Sequence, residues 1–400
     1  MTMTLKNDAI ATLRGNDRGR HTVPAAGLYP HLWAWDSAFA AIGWGHIDLD
    51  RALAELETLL AGAWPDGRIP HIAFDTSADG YWPDPAFWGT DATRPTSSIT
   101  QPPLWATAAR RLVELGLDVE RLKPLLGPIE ASHLFFARAR DPKGWNLVSV
   151  AHPWESGMDN SPAWDGPLSA VDPNSAPPFE RKDTKHVTDV SQRPTDDHYK
   201  RYAALVKAIE NDDFGHGPFV VYDPGMTALL ARAERDLAWL QSQVGEKSEA
   251  ETRARGLTDA LVTHLWNPTE ARFDFFDVAA DTKIPSPVLA AHLPAMLELP
   301  EPIDAAVKAK LQSDFEAKYP IPTTAPGTPD FDRRRYWRGP SWVNLNWLLA
   351  DVWGDSVRES TLEMVSKSGF REYFDPESGE GLGADAFTWT AALVLDFSSR

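Results

Sequence analysis

Apolar residues recur at three- and four-residue spacing over most of the chain, the signature of helices that each bury one face. The pattern runs through 36–64 (DSAFAAIGWGHIDLDRALAELETLLAGAW), 101–116, 119–140, 198–210, 223–244 and 248–266. It resumes in 340–353 (PSWVNLNWLLADVW), 356–369 and 387–397 (FTWTAALVLDF). Strict alternation is short and rare; RFDFFDV at 272–278 is the clearest case and predicts a small hairpin. The pattern therefore predicts an all-α protein. No low-complexity segment separates the helices, so a single domain over 1–400 is expected.

The connections carry the unusual chemistry. Segments 65–100, 141–197 and 318–341 are long and rich in Pro, Gly, Trp and Tyr. Long ordered loops on a compact helical frame are where binding groups and lids are usually built. Nine of the seventeen Trp lie in or beside polar motifs, which suits a carbohydrate ligand: indole faces stack on the C–H faces of sugars while nearby carboxylates and amides hold hydroxyls.

Composition narrows the classes. The 400 residues carry a formal net charge of -18, which repels phosphate backbones and anionic membranes, so no nucleic acid partner is expected. Cys is absent, which excludes disulfides, thiolate metal sites and Cys nucleophiles. No apolar run reaches the roughly 18 residues of a membrane span, and no apolar stretch follows the first basic residue. A cytoplasmic protein with no membrane partner is expected. The eleven His show no metal-binding spacing such as H-E-x-x-H, and no phosphate-binding Gly loop follows a strand, so neither metal nor cofactor is expected. His71 and His152 adjoin polar motifs and are read as hydrogen-bonding supports.

Six motifs recur in order: LWAWDSAF (32–39), GRIPHIAFD (67–75), SSITQPP (97–103), WESGMD (154–159), YWRGPSWVNLNW (336–347) and REYFDPESGEGLGADAFTWT (371–390). WESGMD resembles the E-S-G-x-D segment of inverting glycoside hydrolases built on an (α/α)6 barrel, including the trehalases. As a whole the chain is similar to the branch of glycoside hydrolase family 63 that holds mannosylglycerate and glucosylglycerate hydrolases. The resemblance implies an (α/α)6 barrel, with Asp159 as general acid and Glu372, in REYFDP, as general base. Glycoside hydrolysis needs such a pair: an acid for the leaving oxygen and a carboxylate for the water. One of the two must keep its proton near neutral pH, and Asp159, in an aromatic and poorly solvated loop, suits that role. Glu377 and Glu380 lie close by as rival carboxylates.

The same resemblance implies a substrate-binding set. Trp33, Trp35 and Asp36 hold the sugar, although Asp36 also suits a helix N-cap. Gln101 offers an amide, and Trp154 and Glu155 support the acid loop or touch a hydroxyl. Tyr81, Tyr336, Trp337 and Trp342 complete the wall, with Arg338 either structural or ligand-facing. Within 180–202, Arg193 and Tyr199 match residues that bind the glycerate carboxylate, an interaction suited to a planar guanidinium. A surface ion pair with Asp196 or Asp197 is the competing reading of Arg193. In its polar loop it is expected to be dispensable for folding. The expected partner is therefore a small anionic glycoside, and the oligomeric state is open. Alternatives are a neutral α-glucoside such as trehalose, whose hydrolases carry a second signature missing here, or a non-catalytic sugar-binding homologue. A sugar epimerase would need a His acid/base pair, to which no motif points.

Overall fold

The computed structural model describes residues 3–78, 81–91, 93–185, 189–212 and 215–399. Small parts of the long segments, at 79–80, 92 and 186–188, lie outside the described residues. Thirteen α-helices occur among the described residues. They are α1 (Met3–Gly15), α2 (Ala34–Gly45), α3 (Leu49–Ala61), α4 (Trp105–Glu114), α5 (Lys123–Ala139), α6 (Asp165–Ser169) and α7 (Asp196–Asn211), then α8 (Pro224–Gln243), α9 (Ala250–Ala260), α10 (Glu301–Asp314), α11 (Val343–Trp353), α12 (Asp355–Ser368) and α13 (Thr388–Phe397).

Six elements close into an inner ring. α2 packs on α4, α4 on α8, α8 on the 3-10 stretch Leu289–Met296, that stretch on α11, α11 on α13, and α13 back on α2. α1, α3, α5, α9, α10 and α12 lie outside it, each against an inner neighbour. This is the expected (α/α)6 barrel. The two layers differ in sequence for a physical reason. An inner helix meets protein on nearly all sides, so it is apolar nearly all round; every residue of α13 and all but Gly45 of α2 are buried. An outer helix buries one stripe, as α10 does with Val307 and Leu311.

Three local readings change. The periodic run 36–64 is two helices, because Asp48 caps α3 by accepting from the amides of Asp50 (2.9 Å) and Arg51 (3.1 Å). Neither α10 nor the inner 3-10 stretch, interrupted by Pro294, stands out in the apolar pattern. RFDFFDV divides at Asp274: Arg272–Phe273 pairs with Trp266–Asn267, whereas Phe275–Asp277 forms a hairpin with Thr282–Ile284 inside a four-stranded sheet. No helix is long and apolar enough to cross a membrane among the described residues.

Candidate active site

A cavity of about 390 Å³ opens at the N-terminal ends of inner helices. Trp33, Trp35 and Asp36 reach it from the start of α2, Gln101 from the approach to α4, Tyr336 and Trp337 from the approach to α11, and Trp389 from the first turn of α13. Tyr81, Trp154, Asp159, Arg193 and Tyr199 come from the long segments and α7, and Glu372 completes the lining. Twelve of the fourteen residues nominated from sequence thus face one space.

The loop that carries Asp159 is held from several sides. Residues Pro153–Ser156 form a 3-10 turn that ends at Gly157, whose φ of 72° is a left-handed conformation favouring glycine. The ring of Trp35 packs so close that a Cβ at position 157 would lie 2.7 Å from it. Tyr202 donates its hydroxyl to the carbonyl of Asp159 (2.8 Å), and Trp164 donates to that of Met158 (2.9 Å). The carboxyl of Asp159 is left in an apolar, aromatic corner. Its burial, reinforced by Glu372 and Asp183 and only partly opposed by Arg193, raises its pKa to about 7.

Glu372 is positioned differently. Its Oε1 accepts from the hydroxyl of Tyr29 (2.8 Å) and its Oε2 from the amide of Ala384 (2.9 Å). Gly383, at φ 68°, leaves the room: a Cβ there would lie 2.4 Å from Oε2. Glu377 and Glu380 do not line the cavity, and Glu380 is paired with Arg334 at 2.6 Å.

Arg193 is a buried cation in the wall. Its Nε lies 3.4 Å from Asp183 Oδ2, its Nη1 lies 3.6 Å from Glu372 Oε1, and its guanidinium sits 4.1 Å over the Tyr336 ring. Burial disfavours its charge, but Tyr29, Tyr336 and Glu372 outweigh that and hold it firmly protonated. Nη1 is nevertheless buried without a hydrogen-bond acceptor. The surface ion pair is not formed, since Asp196 bonds Arg181 (2.7 Å) and Asp197 bonds Arg201 (2.8 Å). Buried as it is, Arg193 is not the dispensable loop residue that its polar neighbours suggested.

Two nominated residues stand behind the wall. Glu155 is fully buried and grips Arg140 (2.7 Å) and the amides of Ala151 (2.7 Å) and Thr100 (3.2 Å), so no oxygen is left for a sugar. Trp342 is stacked parallel behind Trp337, with ring centroids 3.5 Å apart, and donates to the carbonyl of Tyr336 at 3.1 Å. The nominated set left out Tyr29, Asp183, Lys182, Trp82, Phe387 and Trp389 as lining residues, although Trp82 and Trp389 are among the nine Trp in or beside polar motifs. Tyr29 in AAGLYP gave no signal beyond its nearness to LWAWD. His152 accepts from the amide of Trp154 (3.0 Å) and donates to the carbonyl of Tyr202 (3.1 Å), a support as expected. His71 lines the cavity, stacked on Trp154.

Residues 29–390 match the model of the mannosylglycerate hydrolase MGH1-like glycoside hydrolase domain. The chain belongs to this glycoside hydrolase family. Two members illustrate its range. A mannosylglycerate hydrolase from Thermus thermophilus is 41% identical over 97% of this chain and 99% of its own length. A glucosylglycerate hydrolase from Mycolicibacterium hassiacum is 36% identical over 96% of this chain and 95% of its own. A crystal structure of a GH63 mannosylglycerate hydrolase, also from Thermus thermophilus and in complex with Tris and D-glycerate, superposes with a TM-score of 0.93 at 39% identity, covering 99% of this chain and 100% of that one. As a family member, the chain is a glycosidase with a small-molecule glycoside substrate.

Proposed function

We propose that the protein hydrolyses α-mannosylglycerate, α-glucosylglycerate or both, with inversion, releasing free hexose and glycerate. The observation that carries the reading is the buried Arg193, with its unpartnered Nη1, in the same cavity as the two carboxyls. A neutral disaccharide gives no reason to bury a guanidinium there, whereas a glycerate carboxylate supplies the missing acceptor. The glycerate-bound crystal structure of the Thermus thermophilus relative supports the same chemistry.

In this mechanism Asp159, kept protonated by its desolvated corner, gives its proton to the glycosidic oxygen as that bond breaks. Glu372 takes a proton from a water, whose oxygen attacks the anomeric carbon from the opposite face. The α-glycoside becomes a β-hexose. Inversion requires the carboxyls to stand about 6.5–9.5 Å apart, with the water between them and carbon. Trp33, Trp35, Trp154 and Trp337 offer faces to the sugar. Asp36 and Gln101 offer polar groups: Gln101 Oε1 already accepts from the Trp35 amide (3.2 Å), leaving its NH₂ for a hydroxyl. Tyr81, Tyr199 and Tyr336 surround the aglycone beside Arg193.

Purified protein assayed on mannosylglycerate, glucosylglycerate, their glycerol analogues and trehalose decides the matter. Turnover confined to the glycerate glycosides, with β-hexose appearing first by NMR, is the expected result. Equal kcat/KM on the glycerol analogues overturns the carboxylate reading, and an initial α-anomer overturns inversion.

A further inference from the structure

The run RRRYWR (333–338) is strongly basic in a chain of formal net charge -18, and the substrate cavity accounts for only its two aromatic residues. Arg333 and Arg334 are taken up by Asp375, at 3.5 and 3.7 Å, and Arg334 also by Glu380. Arg335 and Arg338 point elsewhere. They line a separate cavity of about 320 Å³ on another side of the wall, together with Asp165, Asp197, His198 and Arg201.

The charges in this cavity do not balance. Arg338 bonds Asp165 through Nη2, and Arg201 bonds Asp197 (2.8 Å) and the carbonyl of Ser169 (3.0 Å). Arg335 has no side-chain hydrogen bond or ion pair among the described residues, and the Nε atoms of both Arg335 and Arg338 are buried without an acceptor. Arg338 is only 8% exposed, so bulk water does not supply one. A buried guanidinium N–H left unpaired is costly, and two neighbouring Arg repel. Consistent with this, burial and the charge of Arg338 hold the pKa of Arg335 below its ordinary value. A small anion in the cavity offsets this repulsion, because its oxygens accept from the outer N–H groups of more than one guanidinium.

We infer that this cavity is a second ligand site, which takes a small oxyanion of the phosphate class. Its position gives it a consequence. Arg335 and Arg338 bracket Tyr336 and Trp337 in the substrate wall, while His198 and Arg201 lie on α7, which also carries Tyr199 and Tyr202. An anion held between them ties the wall to the helix that braces the Asp159 loop.

Thermal unfolding of the full chain in sodium phosphate, against sodium chloride at equal ionic strength, tests the site independently of activity. The expected result is a saturable rise in Tm of about 2–5 °C in the wild type, lost in Arg335→Ala and kept in Arg333→Ala and Arg193→Ala. If Arg335→Ala does not fold, Arg335→Gln carries the same test. No saturable rise in the wild type overturns the proposal, and so does a rise undiminished in the Arg335 variant, which marks an adventitious ion only. A rise lost in Arg193→Ala but kept in the Arg335 variant means that phosphate occupies the substrate cavity, and the second site falls.

Discussion

Two buried Glu–Arg pairs stand a few residues from the proposed reaction, and they are built to opposite ends. Glu155 and Arg140 meet at 2.7 Å, and two backbone amides complete the shell of the carboxylate. Burial alone would raise the pKa of Glu155, yet Arg140 outweighs it and keeps the carboxyl below its ordinary value. That pair is closed. Glu372 and Arg193 stand 3.6 Å apart, too far for a hydrogen bond, and Arg193 Nη1 has no acceptor. That pair is open: each member is held by other groups, and Arg193 keeps an N–H without an acceptor. The closed pair fixes a loop; the open pair is the one we propose meets the ligand.

The largest effect expected from this contrast is on the proposed catalytic groups. Asp159→Asn and Glu372→Gln should each lower kcat about 10³-fold or more on the best glycerate glycoside, with far-UV circular dichroism unchanged. An Asp159→Asn enzyme that keeps more than about a tenth of wild-type kcat moves the general acid to another residue. The closed pair should answer in stability instead. Glu155→Ala should cost about 3–5 kcal/mol in urea unfolding, because it strands Arg140 as an unpaired buried charge. A loss of kcat with intact stability would mean that Glu155 reaches the substrate.

Arg193→Ala should fall between them. Losing a charge-assisted contact to the glycerate carboxylate should cost about 2–4 kcal/mol, or roughly a thirty- to thousand-fold fall in kcat/KM, on charged substrates only. Its unfolding penalty should be smaller than that of Glu155→Ala, because water in the cavity can replace it. Equal losses on charged and neutral glycosides would close the comparison the wrong way.

Next comes a pH effect at Asp159. Folding raises its pKa to about 7, so the stability it contributes is fully present below the unfolded value near 4 and is lost as pH rises through 7. Asp159→Asn should therefore be more stable than wild type at pH 8, by up to about 4 kcal/mol, and nearly equal to it at pH 4. In the wild type kcat should fall above about pH 7 as the acid deprotonates. A melting difference of the same size at both pH values contradicts the raised pKa. Least of all, Trp342→Phe should cost about 1 kcal/mol of stability and a few-fold in kcat/KM by loosening the stack behind Trp337. An intact KM with an unchanged product-binding constant would reduce Trp342 to core filler.

The fold was legible where packing leaves a periodic trace. α8, α11 and α13 lie within two or three residues of their apolar runs, because inner helices must be apolar. α10 escaped because its buried stripe is only Val307 and Leu311, and the inner 3-10 stretch because it is short and contains Pro294. The motifs found most of the cavity. They gave Asp159 and Glu155 different roles but left Glu155 between loop support and sugar contact, since only the tertiary position of Arg140 decides between those two. Tyr29 and Asp183 were invisible for the same reason: each matters through a partner elsewhere in the chain, Glu372 in one case and Arg193 in the other.

The closure of the ring by α13 has a consequence for the birth of the molecule. The cavity takes residues from Pro24 through Trp389, and α13 is wedged between α1 and α2. No earlier length of chain holds the whole site, and α2, apolar nearly all round, has no partner on one side until α13 is made. Until α13 emerges, a growing polypeptide therefore leaves the ring unclosed and one apolar side of α2 uncovered. Pairings this distant in sequence also make for slow folding. While the ring is open such a chain exposes apolar surface that favours misassembly, and the complete cavity exists only once α13 is in place.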